Sequence, residues 1–292
     1  MLAKSVETIS TGHGLLEGPL WNQKLGLIVA DATVGGVWRI GHGAAPEVII
    51  AHRRGIGGLA FHANGSVVIG GRNLALKWPV SDGKDDTIVL LESNPAADIV
   101  GFNDFTTDAV GRIYVGSLAF VAMGADRGGK AGKLHVIDLD GSTRVVADDV
   151  LLTNGLGFSP DGKLLYHSDS LRHAVYAYDV DENGDVHNRR TFTETGEDFP
   201  DGLAVDSAGN VWIATPHSGL VKGFSPVGAG IGSIRIPVPM VTSLCFGGAD
   251  LQDMYIVSGS EGLDTPNGAG IYRVRMDTPG LERPLARVAN PK

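Results

Sequence analysis

One short phrase recurs six times along the 292 residues: Glu17-Gly-Pro-Leu-Trp21, Gly57-Gly-Leu-Ala-Phe61, Asn103-Asp-Phe-Thr-Thr107, Asn154-Gly-Leu-Gly-Phe158, Asp201-Gly-Leu-Ala-Val205 and Thr242-Ser-Leu-Cys-Phe246. The starts lie about 40 to 50 residues apart, the period at which a ring of four-stranded sheets lays down one blade per repeat. Each opening leads into a polar glycine turn, an apolar strand, another turn and a further strand. In the fourth repeat these are Ser159-Pro-Asp-Gly-Lys163, Leu164-Leu-Tyr-His-Ser168 and Ala174-Val-Tyr-Ala-Tyr-Asp179, with Asp161-Gly162 where a hairpin needs positive φ. Long helical periods are missing, which removes doubly wound sheets, helix-wrapped barrels and bundles. The pattern predicts an all-β, six-bladed β-propeller, in one domain over residues 1–292. Closing such a ring brings the chain ends into one blade, so Ser5-Val-Glu-Thr-Ile9 is expected beside Gly270-Ile-Tyr-Arg-Val274. The polar, glycine-rich stretch 122–132 fits the repeat least and reads as an insertion or lid.

Composition agrees with one large β domain. A hydrophobic content of 43% can bury a sizeable core, and 42 glycines spread through turn positions imply many short strands. The net charge of −9, with dispersed lysine and arginine, disfavours nucleic acid and anionic membranes as partners. The single cysteine, Cys245, has no disulfide partner and sits in the apolar run Leu244-Cys-Phe246 as a small core residue. Residues 1–10 lack the apolar stretch of a signal peptide, and no run approaches the length of a membrane span; a soluble cytoplasmic protein is expected.

Four of the six openings carry an oxygen-bearing side chain: Glu17, Asn103, Asn154 and Asp201. The innermost strand of each blade runs beside the central channel, so equivalent positions converge at one mouth. Two carboxylates about 4 Å apart repel by roughly 4 kcal/mol at an effective dielectric near 20. No lysine or arginine occupies an opening, which makes a bound cation the expected counter-charge and the channel a metal-binding one. An all-oxygen donor set favours Ca²⁺, Mg²⁺ or Mn²⁺, while Zn²⁺ and Fe²⁺ also accept carboxylates. Asn and Asp before glycine are ordinary turn residues when met singly. Glu17 is not, and four matching positions of six weigh against that simpler reading. Serine-nucleophile elbows, phosphate loops, dinucleotide fingerprints and zinc-protease helices are missing from the sequence. His217, in Thr215-Pro-His-Ser-Gly219, follows the strand that Asp201 introduces and is a candidate channel or substrate contact.

At Glu17-Gly-Pro-Leu-Trp21, Asn154-Gly-Leu-Gly-Phe-Ser-Pro-Asp-Gly-Lys163 and Pro200-Asp-Gly-Leu-Ala-Val-Asp206 the chain resembles the senescence-marker-protein, gluconolactonase and luciferin-regenerating-enzyme family. Ser168-Asp-Ser170, Gly209-Asn-Val-Trp-Ile-Ala214 and Pro237-Val-Pro-Met-Val-Thr-Ser243 extend the resemblance over nearly the whole chain. It implies a six-bladed propeller with one divalent cation held by Glu17, Asn154 and Asp201, and Asn103 near the metal or its substrate. It also implies lactone opening, with Asp201 as general base or as the group that orients the attacking water.

The resemblance lapses in the pocket. Where sugar-using members have an arginine two residues before the asparagine matching Asn103, this chain has Gly101. Gly116-Ser-Leu-Ala is followed by Phe120 rather than an acidic residue, and Met240 replaces an arginine in Pro237-Val-Pro-Met240. Phe102, Phe105, Phe120, Met123 and Met240 favour an apolar substrate, so the expected one is a hydrophobic or aromatic lactone or ester; ordinary blade core is the alternative for some of these side chains, Phe102 in particular. Gly101, Asn103, Phe105, Phe120, His217 and Met240 form the expected substrate-binding set. A non-catalytic calcium-binding propeller, and a metal-dependent lyase or isomerase on the same scaffold, are the alternatives.

Overall fold

A computed structural model of the chain describes every residue except 1, 3, 42, 44, 52, 84, 85, 122–128, 266 and 292. Its strands form six four-stranded antiparallel sheets. Their first strands are Leu16–Asn22, Leu59–Phe61, Gly101–Thr107, Thr153–Phe158, Leu203–Val205 and Val241–Gly247. Each of these packs beside the next, and Leu16–Asn22 packs beside Val241–Gly247, so the six close into a ring around a channel. The expected propeller is therefore present, each recurring phrase marking one innermost strand.

The second strands show why the apolar runs are continuous. Ile113–Leu118 and Val211–Thr215 are buried along their whole length, because each blade packs against a neighbour on both faces. Fully burying one Val, Leu or Ile side chain is worth about 1.5–3 kcal/mol, so such runs carry much of the stability. Outermost strands such as Thr143–Val150 meet water along one face and carry charge accordingly.

Closure occurs in the sixth blade, where Val6–His13 supplies the outermost strand against Ala269–Arg275. Val6 pairs with Val274 and Glu7 with Arg273, whose guanidinium lies 2.6 Å from the Glu7 carboxylate. The expected pairing of the two chain ends is met, with the strand starting one residue later, at Val6, and running four residues further, to His13.

The chain continues past closure as a strap over one end of the ring. Leu281 N–H donates to Val205 O (3.2 Å), Ala286 N–H to Phe61 O (2.8 Å), Arg287 N–H to Gly111 O (2.9 Å) and Ala289 N–H to Leu139 O (2.8 Å). The strap thus links the fifth, second and third blades. Residues 122–128, most of the expected lid and with them Met123, lie outside the described residues. Among the described residues no helix is long and apolar enough to cross a membrane.

Candidate active site

The innermost strands do not run as regular ladders. Pairing slips between Glu17 and Leu20, between Phe102 and Phe105, between Thr153 and Leu156, and between Val241 and Ser243. A bulge re-aims a side chain and bends its strand. Here the slips fall at the repeat openings, so Glu17, Asn103 and Asn154 lie within their strands, at the irregularities, rather than just before them. Asp201 does precede its strand. Its N–H donates to Ala214 O (2.9 Å) and its carbonyl accepts from Gly155 N–H (3.1 Å), which fixes it between the fourth and fifth blades.

Glu17, Asn103, Asn154 and Asp201 all line one cavity of about 480 Å³ at one mouth of the channel. Asn103 Nδ2 donates to Asn154 Oδ1 (2.7 Å) and to Thr153 O (2.8 Å). Asn154 Nδ2 donates to Ser170 Oγ (2.7 Å), which donates to Pro200 O (2.6 Å), the carbonyl just before Asp201. One relay of hydrogen bonds therefore orients both amides and ends beside the carboxylate. Asn103 Oδ1 occupies space that a Cβ on Gly57 would invade, at 2.1 Å, so the glycine opening the second repeat makes room for the third repeat's amide.

The electrostatics around Glu17 and Asp201 are dominated by burial and by neighbouring carboxylates. Burial, then the Asp201 charge, then that of Asp104, raise the Glu17 carboxyl well above the usual carboxylate range. Asp201, only 8% exposed, is raised by burial and then by Asp104. Asp104 itself is pushed up to about 7 by burial, with Arg283 opposing the shift. Among the described residues no three His, Cys, Asp or Glu side chains gather as a metal cluster, so the expected metal channel is not shown by such a grouping. The set at this mouth consists of two carboxylates completed by amide oxygens. With hard oxygen donors and uncompensated negative charge, its chemistry suits a divalent cation.

The walls are apolar. Phe102, Leu118, Phe120, Leu171, Phe199 and Met240 line the cavity with Gly101 and His217, the latter at φ 71° with its ring 5.6 Å from that of Phe199. Met240 takes up room that Gly259 leaves, since a Cβ there would lie 2.4 Å from Sδ. Of the expected substrate contacts, Gly101, Asn103, Phe120, His217 and Met240 are brought together here.

Phe105 is not. It is 2% exposed and packs in the core with Phe102, Ala60 and Val115. In an unbroken strand Asn103 and Phe105 share a face, but the slip between Phe102 and Phe105 breaks that alternation and turns Phe105 inward. Phe199, Leu171, Ser170, Arg72 and Glu261 line the cavity without having been expected. Phe199, two residues before Asp201, and Ser170, in the phrase Ser168-Asp-Ser170, offered positional signals; Arg72 and Glu261 offered none.

Beyond the four polar residues the channel narrows. Their chain neighbours Gly18, Asp104 and Gly155 line a constriction of about 10 Å³, room for roughly one water molecule. Arg283, from the strap, lines this constriction and also a second cavity of about 490 Å³ at the opposite mouth. Its Nη1 donates to Leu59 O at 3.1 Å. The strap and Arg283 separate the two ends of the channel.

Comparison with known proteins bears on this site. Regucalcin of Gallus gallus is 31% identical over 278 residues, 91% of this chain and 92% of that protein. The 6-deoxy-6-sulfogluconolactonase of Pseudomonas putida is 37% identical over 205 residues, 67% of this chain and 69% of that protein. Among solved structures, a luciferin-regenerating enzyme superposes with a TM-score of 0.86 at 23% identity, covering 98% of this chain and all of that one. A calcium-binding regucalcin from Agrobacterium tumefaciens gives 0.82 at 20% identity, with 98% of each chain covered. Both likenesses are of fold. The family model described as the SMP-30/Gluconolactonase/LRE-like region matches residues 15–260, and the chain belongs to that family.

Proposed function

We propose that the chain is a divalent-metal-dependent hydrolase that opens a lactone or related cyclic ester more hydrophobic or aromatic than a sugar lactone. Family membership supports lactonase or ester-hydrolase chemistry at a general level, and one relative bears the name of a sulfogluconolactonase. The observation that carries the reading is the meeting of Glu17, Asn103, Asn154 and Asp201 in one cavity whose walls include Leu118, Phe120, Phe199 and Met240. A merely ion-binding propeller needs the oxygens but has no use for an adjoining apolar cavity of about 480 Å³.

In this reading Glu17, Asn154 and Asp201 hold the cation, which supplies a Lewis acid for the ester carbonyl and makes water more acidic. Asn103, fixed by its bonds to Asn154 and Thr153, adjoins the ion or faces the substrate. Asp201 accepts the proton of the attacking water, a role worth about 10² to 10⁴ in rate, or orients that water. The aromatic walls exclude water and seat the substrate ring. With walls that are largely apolar, such a pocket discriminates against aldonolactones, whose hydroxyls lose their hydrogen bonds there.

The test is initial-rate measurement of the purified protein, loaded in turn with Ca²⁺, Mg²⁺, Mn²⁺, Zn²⁺ and Fe²⁺, on gluconolactone, aliphatic lactones and aromatic lactones. Faster turnover of aromatic or aliphatic lactones is expected. Strong turnover of gluconolactone with none on the apolar compounds would refute the pocket assignment.

A further inference from the structure

Arg72 is the one lysine or arginine among the described residues lining the cavity, and it makes no hydrogen bond or ion pair among them. Its neighbours, by contrast, are tied down. Gly71 N–H donates to Phe102 O (2.9 Å) and Phe102 N–H to Gly71 O (2.7 Å), so the loop between Val67–Ile69 and Leu74–Lys77 is stitched to the third blade. On the other side, Arg53 Nη2 donates to Asn73 O and Asn73 Oδ1, both at 2.6 Å. Gly71 has φ 118°, a conformation that L side chains rarely adopt. A Cβ on Gly101 would come within 3.0 Å of Gly71 O and 3.7 Å of Arg72 Cα, so Gly101 is what lets this loop approach. A braced loop thus places Arg72, which has no hydrogen bond or ion pair among the described residues, on the lining of an otherwise largely apolar cavity.

We propose that Arg72 recognises a carboxylate on the substrate, making the substrate an acidic aromatic or aliphatic lactone; this rests on the hydrolase reading above. Guanidinium matches a carboxylate through paired N–H donors, and a planar ring of the substrate lies along Phe120 and Phe199 without needing further polar contacts. The placement also sets a length. Arg72 follows the second strand of its blade, whereas Glu17, Asn103, Asn154 and Asp201 stand on or beside first strands. The substrate's carboxylate therefore lies outward from its ester by about one to two strand spacings, roughly 5–10 Å. Arg72 is exposed at the cavity edge, so the contact is worth about a tenfold preference rather than more, and salt weakens it.

Dihydrocoumarin and a derivative carboxylated on the aromatic ring form a matched pair of probes; the corresponding lactams report binding without turnover. Wild-type protein is expected to show about tenfold higher kcat/KM on the acidic lactone at low salt, shrinking at 0.5 M NaCl. Arg72→Met should abolish that preference through KM, with kcat and the uncharged lactone's rate unchanged within about twofold, and Arg72→Glu should invert it. Equal kcat/KM for the pair in wild-type protein, or equal losses on both lactones in Arg72→Met, would overturn the assignment and leave the hydrolase reading standing. If neither lactone is turned over with any cation, the hydrolase reading fails, and calorimetry with the lactams decides for Arg72. Tighter binding of the acidic lactam by wild type alone supports it; equal binding by wild type and variant refutes it.

Discussion

Asp201 is fixed by its own backbone, with the N–H on Ala214 O and the carbonyl on Gly155 N–H, so replacing its carboxylate leaves the scaffold in place. Asp201→Asn keeps the volume and one oxygen while removing the base. We expect kcat to fall by at least about 10², with the cation retained through Glu17 and Asn154; kinetics paired with elemental analysis of the same sample checks this. An unchanged kcat in the cation-loaded variant would remove Asp201 from the chemistry. The residues that converge here were readable because equivalent positions of a repeat meet at one radius, and Glu17 stood out as a residue with no turn preference of its own. Phe105 was misread because a two-residue alternation holds only where the ladder is unbroken. Arg72 lies in a loop whose approach depends on glycines of two blades, which no local pattern reports.

Among the elements, the innermost strands were legible from their shared phrase and the second strands from continuous apolar runs. The strap after Arg275 was not, since it is held chiefly by backbone hydrogen bonds to Val205, Phe61, Gly111 and Leu139, and these leave no side-chain signature. Its sharpest consequence is Arg283, which lines the constriction with the half-buried Asp104 and opposes the rise of its pKa. Removing the cation while leaving the carboxylate should be costly; removing both should not. Arg283→Met is expected to lower unfolding free energy by about 1–3 kcal/mol, and adding Asp104→Asn to restore most of it. Denaturant titrations of the four proteins test the pair, and strictly additive losses would show that Arg283 supports the strap by packing alone.

For the molecule as a whole, closure by Val6–His13 and the ring of first strands hold six separate openings in one register, and the strap crosses the end opposite the polar cluster. The ring carries a net charge of −9, and at its mouth the charges acting on Glu17 are those of two other carboxylates. On the proposed reading the cluster holds a cation and the apolar cavity beside it seats the substrate. Turnover of an aromatic lactone, measured during stepwise return of one divalent ion to fully stripped protein, tests that union directly. The account predicts no turnover without metal and a rise that saturates at one ion per chain. Full activity in protein from which every divalent ion has been removed would contradict it.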